Sequence, residues 1–161
     1  MRRLQRPIVE IGWTRDVPQL AVTDPVARAF DLMSKDAHDC VLVMANGDLA
    51  GIFTSRDFLN RVAAKRADPA GITLAEVMTP RPRTLHPEDS VAFAINWMAV
   101  EGFRNVPIVD DRGTALGVLT IWDVMRHLDE MFDEIDATPR SRLPQSDTSG
   151  VISLIDIGGD Q

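Results

Sequence analysis

Two short phrases carry the side chains best suited to holding a ligand: Thr54-Ser55-Arg56-Asp57 and Thr120-Ile121-Trp122-Asp123. Each follows a glycine and two apolar residues, Gly51-Ile52-Phe53 and Gly117-Val118-Leu119, which read as the end of a buried strand running into an amphipathic helix. At such a junction the first helical N–H groups have no partner within the helix and the helix dipole presents its positive end, so an anion such as phosphate is held there. The same residues have a second use. A threonine N-cap with an aspartate three positions later is close to a capping box, which satisfies those N–H groups without any ligand. One copy would be explained by capping; two copies in register favour a further role. Arg56 adds a cation to the first copy for charge-assisted bonding to phosphate, which Trp122 cannot do in the second.

Other chemistry is absent from the pattern. His38, His86 and His127 are scattered, Cys40 stands alone in an apolar run, and neither a glycine-rich phosphate loop nor metal-ligand spacing occurs. The expectation is a protein that is not an enzyme, with no catalytic residues, no cofactor serving as catalyst and no metal. His38 reads as a loop residue near a pocket mouth, His127 as a solvent-facing helix position, and Met33, Met98 and Met125 as core filler. The acidic stretch Asp129, Glu130, Asp133, Glu134 and Asp136 reads as a solvated helix face. A net charge of -7 argues against a nucleic-acid surface, while leaving room for a small anion held by backbone donors and one or two arginines. The single cysteine fits a reducing compartment and hence a cytoplasmic location. The basic start, Met1 to Arg6, leads into no long apolar segment, and no run of 18 apolar residues occurs, so neither secretion nor membrane spanning is expected.

The elements that would position the two phrases are legible in order. Pro7-Ile8-Val9-Glu10-Ile11-Gly12-Trp13 alternates like a strand or extended arm, and Leu20-Ala21-Val22 is a second short strand. Asp24-Pro25 then opens a helix to about Asp36, with Val26, Ala29, Phe30 and Met33 on one stripe. Val41-Leu42-Val43-Met44 and the segment from Leu49 to Phe53 are strands joined by an Asn46-Gly47 hairpin turn. The helix after the first Thr-x-x-Asp should bury Phe58, Leu59, Val62 and Ala63. A proline- and glycine-bearing linker follows, then a helical turn at Leu74 to Met78, and the order begins again.

Leu85 answers Leu20, Asp89 answers Asp24 and Val91 answers Val26, each 65 residues on; Val109, Gly113, Gly117, Thr120 and Asp123 answer Val43, Gly47, Gly51, Thr54 and Asp57, each 66 on. This is an internal duplication with one residue inserted before Val106. The last helix outruns its counterpart, with Val124, Met125, Leu128, Phe132 and Ile135 extending an apolar stripe that needs a partner. Residues 137–150 read as a flexible linker, and 151–157 as a strand-like segment that would pair with the first arm or a second chain.

Doubled Gly-h-h-Thr-x-x-Asp (h apolar), preceded by Val106-Pro107-Ile108-Val109-Asp110-Asp111 and by Val77-Met78-Thr79-Pro80 at the head of the second repeat, resembles a tandem pair of cystathionine β-synthase (CBS) domains, or Bateman module. The resemblance covers residues 13 to about 130. It implies an α+β (α/β) fold in which two β-α-β-β-α repeats pack sheet to sheet about a pseudo-twofold axis. The chain would then divide into an arm (1–12), CBS domain 1 (13–66), a linker (67–73), CBS domain 2 (74–136) and a flexible tail with a strand-like end (137–161). It also implies adenosine-containing ligands, AMP, ADP, ATP or an S-adenosylmethionine-like compound, in two clefts between the repeats. The chain would form a homodimer and pass ligand occupancy to a partner protein.

The resemblance assigns roles residue by residue. Asp57 and Asp123 would accept hydrogen bonds from ribose hydroxyls, since a carboxylate offers several lone pairs to a vicinal diol. Thr54 and Thr120 would meet ribose or phosphate, with Arg56 and Arg104 reaching phosphate. The base pocket would be made by the loops Ala37-His38-Asp39-Cys40 and Phe103-Arg104-Asn105-Val106 with Ile52 and Val118, and Thr79 and Pro80 belong to the same binding set. Asp39 argues against a highly charged ligand at its cleft. A ligand-free pairing scaffold, in which both phrases are only caps, is the alternative.

Overall fold

The structure, a computed structural model, describes residues 5–36 and 38–136, with side chains to Glu130 apart from Asp36. The tail expected to be flexible and its strand-like end at 151–157 lie outside those residues, as do the side chains of Phe132 and Ile135.

In the first repeat β1 (Gln19–Ala21) lies parallel to β2 (Cys40–Ala45), which pairs antiparallel with β3 (Asp48–Thr54). A short β4 (Thr79–Pro80) completes a sheet of order β1-β2-β3-β4. The β2–β3 turn holds Asn46 and Gly47 at positive φ of 53° and 89°, the left-handed pair that a two-residue hairpin demands. Apolar residues fill both faces of β2 and β3 because both faces are covered. Val41, Val43 and Phe53 pack with Val26, Ala29 and Met33 of α2 (Val26–Asp36), while Leu42 and Ile52 turn to the opposite side.

The second repeat repeats the plan in reduced form. β5 (Asn105–Val109) and β6 (Ala115–Thr120) make the hairpin, and single bridges from Leu85 to Ile108 and from Thr14 to Val118 stand where full strands stand in the first sheet. Its core gathers Leu85, Val91, Ala94, Met98, Val106, Ile108, Leu119 and Val124 from these strands and from the long helices on either side of them. Between the sheets, Val17, Cys40, Leu42, Ile52 and Val118 form a third cluster, so the repeats do pack sheet against sheet.

The amino-terminal arm corrects the strand reading. Residues Ile8–Ile11 form a helical turn, α1, between Pro7 and a left-handed Gly12 at φ 77°. Ile8 is fully buried in the second repeat's core, and its N–H donates to the carbonyl of Asp89. Alternation over so few residues suits either state, and docking settles it.

After Thr54 the chain makes one α-turn, α3 (Ser55–Asp57), and continues as a π-helix through Phe58–Ala63. That wider winding turns the expected stripe. Val62 is buried, but Leu59 is 62% exposed and Ala63 is exposed, and Phe30 is half-exposed where it stacks on Phe58 at 4.9 Å. The linker leads through α4 (Leu74–Val77), capped by Thr73 and Glu76, to β4. Helix α5 (Val91–Glu101) ends on Gly102 in the left-handed conformation, and α6 (Ile121–Asp136) is the long last helix. On α6, Met125 is 53% exposed rather than core, whereas His127 is 3% exposed and not solvent-facing.

Candidate functional site

Both Thr-x-x-Asp phrases form complete capping boxes. Asp57 Oδ2 accepts from Thr54 N and Thr54 Oγ1, both at 3.0 Å, and Thr54 Oγ1 accepts from Asp57 N at 3.2 Å. Asp123 does the same with Thr120 at 2.9, 2.7 and 3.1 Å. The other carboxylate oxygen distinguishes these sites from ordinary caps. Asp57 Oδ1 is met by Arg61 at 3.4 Å and by Thr79 Oγ1 at 3.4 Å; Asp123 Oδ1 is met by Arg126 at 3.3 Å, and Thr14 Oγ1 donates to its Oδ2 at 3.3 Å. Thr14 and Thr79 are 65 residues apart and play the same part, each bridging to the middle of the strand that ends in the capping threonine. The reading of the sequence missed Thr14, although that spacing was a usable signal.

Gly51 and Gly117 follow from this close approach. A Cβ on Gly117 would collide with the carbonyl of Thr14, and one on Gly51 would run into Met78 and the carbonyl of Thr79. Only glycine lets the bridging segments reach the two aspartates.

One cleft of about 520 Å³ opens beside Asp57. Its floor is Ile52, Thr54 and Asp57 from the first repeat, one wall is the β4 segment with Thr79, Arg81 and Arg83, and the other wall is Phe103 to Val106 of the second. Ten of the expected site residues line it: Ile52, Thr54, Arg56, Asp57, Thr79, Asp39, Phe103, Arg104, Asn105 and Val106. Pro80 pairs with Gly51 in the sheet and is exposed outside it. His38 lines a separate cavity, Val118 is buried between the sheets, and Thr120 and Asp123 sit with Thr14 at the other end of the pseudo-twofold.

Four arginines face the cleft, and Arg81 and Arg83 were not anticipated. Arg83 pairs with Glu101 at 2.6 Å and lies over the Trp97 ring at 5.2 Å; Arg56 donates to the carbonyl of Gly102 at 3.3 Å. The Arg81 and Arg104 side chains have no partner among the described residues. Asp39 accepts from Ser55 Oγ and from Asn105 Nδ2, the latter at 3.1 Å, which ties the two repeats together across the rim. Both donors are neutral, so Asp39 keeps its charge, and with Asp57 and Glu101 it shares the cleft with four guanidinium groups. Cys40, one residue on, is buried, and that burial with Asp39 beside it pushes its thiol up to about 12, so it offers no nucleophile. Among the described residues no group of three His, Cys, Asp or Glu could hold a metal, and no helix is long and apolar enough to cross a membrane.

The CBS domain family profile matches residues 14–64 and 74–130. The chain belongs to the CBS domain family. Its two matched CBS segments coincide with the two halves of the internal duplication. Among curated relatives it is 32% identical over 109 residues to the meiotically up-regulated gene 70 protein of Schizosaccharomyces pombe, covering 68% of this chain and 15% of that protein. It is 30% identical over 108 residues to the CBS domain-containing protein CBSCBSPB3 of Arabidopsis thaliana, covering 67% and 19%. It is also 34% identical over 113 residues to a homoserine O-acetyltransferase of Methanocorpusculum labreanum, covering 70% and 22%. The chain thus spans under a quarter of the length of these relatives. Among solved structures it resembles a CBS domain pair in complex with 5′-methylthioadenosine and S-adenosyl-L-methionine, at TM-score 0.67 and 23% identity over 76% of this chain and 98% of that one. It resembles CBSX2 in complex with AMP at TM-score 0.67 and 20% identity over 79% and 98%. These likenesses establish the fold: tandem CBS repeats of mixed helix and strand.

Proposed function

We propose that this CBS pair is a regulatory, non-catalytic module that binds an adenosine-containing nucleotide in the arginine-lined cleft and signals its occupancy to a partner protein. The observation that carries the reading is the placement of Asp57: a buried carboxylate with one oxygen fixed by its own cap stands at the floor of a cleft built by both repeats, under two unpaired guanidinium groups. Ribose hydroxyls would take the place of the long Thr79 contact on Oδ1, and phosphate would be met by Arg56, Arg81 and Arg104. The complexes of two similar CBS pairs with adenosine compounds support the same class of ligand. Residues 13–66 and 74–136 act as the two repeats, 67–73 as their linker, and the module works as a cytoplasmic homodimer.

Thermal unfolding with AMP, ADP and ATP tests the reading. A ligand that binds only the native state adds about 2.7 kcal/mol at 100 times its dissociation constant, which for a chain of this size raises Tm by roughly 5 to 10 °C. Asp57→Asn keeps shape and one acceptor, so as a cap it loses at most about 1 kcal/mol. Its amide directs N–H groups at hydroxyls that were donating, so the ligand-induced shift should vanish while the fold persists. If no adenosine nucleotide moves the wild-type curve at millimolar concentration, the module is the ligand-free pairing scaffold.

A further inference from the structure

The two pseudo-equivalent binding regions do not carry the same charge. Thr14 and Thr79 bridge to Val118 and Ile52, and each hydrogen-bonds the aspartate of the adjoining capping box, so the two lead-in segments can be superposed residue on residue. Arg81 and Arg83 then fall on Asp16 and Pro18, 65 residues earlier, and Arg104 falls on His38, 66 earlier. Those three residues line one cavity of about 560 Å³ together with Arg28, whereas Thr120 and Asp123 lie outside its lining; the three arginines line the first cleft together with Thr54 and Asp57. The fourth arginine, Arg56, falls on Trp122, which is 70% exposed at the start of α6. Among the described residues three arginines on that side are already engaged: Arg126 with Asp123 at 3.3 Å, Arg28 with Asp24 at 3.0 Å, and Arg15 over the Trp13 ring at 4.3 Å.

A phosphate moved from the first region to the second would exchange Arg81 and Arg104, whose guanidinium groups have no partner among the described residues, for a carboxylate and an imidazole, and the Glu101-paired Arg83 for a proline. Bringing like charges together at such range disfavours binding, and among the described residues Arg126 and Arg28 each already meet a carboxylate. The carboxylate that would hold a ribose, by contrast, is retained with its cap and its threonine, and Arg126, at the position of Asn60, meets it in place of the arginine that meets Asp57. We propose that the module sorts adenosine compounds by charge: the Asp57 cleft takes a phosphorylated one, and the pseudo-equivalent region at Asp123 takes one without phosphate. This rests on the nucleotide-binding reading above and adds to it a second site with its own ligand class.

Calorimetric titration of the full chain with ATP, and of the ATP-saturated chain with adenosine, tests the idea. ATP should bind one site per chain, and adenosine should still bind one site per chain when ATP is saturating. Arg81→Ala with Arg104→Ala, both at exposed positions outside the caps, should weaken ATP about tenfold or more and leave adenosine binding to the ATP-saturated chain within about twofold. Asp123→Asn should abolish that adenosine isotherm; Thr14→Val, which leaves the capping box intact, should weaken it if the aspartate variant unfolds. ATP filling two sites per chain, or adenosine excluded by ATP, overturns the charge sorting while leaving nucleotide binding in place. No heat from either compound overturns both.

Discussion

At the scale of single residues, burial decides which titratable groups can act. Cys40 lies between the sheets, and its thiol is pushed from 9.0 to about 12, first by burial and then by Asp39. The raised value means the neutral thiol is the form the fold favours, so this contribution is complete below about pH 9 and is lost as pH rises toward 12. Native protein at pH 8 should therefore resist a thiol-specific reagent, and reaction should appear with the unfolding transition in denaturant; rapid native labelling would contradict the burial. His127 was misread because the residues around it, Arg126, Asp129 and Glu130, look like a solvated face, yet α1 packs against the helix that carries it. Its Nε2 is buried without a hydrogen-bond partner among the described residues, a state that costs about 1 to 3 kcal/mol. His127→Leu should leave Tm unchanged or raise it, and a drop of more than a few degrees would mean the imidazole is bonded in solution. Thr54, Asp57, Thr120 and Asp123 were legible because the same types recur at the same spacing. Thr14 was legible only through its 65-residue spacing from Thr79, and Arg81 and Arg83 were not, because nothing in their neighbours reveals that the chain folds back past the end of a strand.

At the scale of elements, hairpins and caps were legible and docking was not. Asn46-Gly47 fixes its turn through two left-handed residues, and Thr73 with Glu76 starts α4, because such chemistry is local. The arm became α1 instead of a strand because Ile8 is buried in the second repeat's core, a contact with residues 80 and more positions away. The π-helical turn at Phe58–Ala63 was equally hidden, since winding leaves no mark on periodicity over six residues. The lead-in before β1 runs close against β6. Gly117, at φ 143°, has the Thr14 carbonyl where a side chain would go. Gly117→Ala should lose about 2 to 4 kcal/mol from strain and overpacking, readable by urea denaturation, and a loss under 1 kcal/mol would show that the segment can move away.

At the scale of the whole molecule, Leu59 and Met125 are large apolar side chains at equivalent, exposed positions of the two repeats, with Phe93 and Val100 also exposed on α5. We expect two chains to cover such a surface. Light scattering at micromolar concentration should give twice 17.8 kDa, and Leu59→Glu with Met125→Glu should give a folded single chain; a wild-type monomer would refute pairing. The exchange of lead-in segments has another consequence, for synthesis on the ribosome. The segment before the first repeat completes the second sheet, through the mutual hydrogen bonds of Thr14 and Val118, while the segment before the second repeat completes the first sheet. Thr14 must wait for a strand made 104 residues later, roughly 5 to 20 seconds at ordinary elongation rates. During that interval Leu42 and Ile52 face no opposing sheet, so the nascent first half carries an apolar face that only the rest of the same chain can close.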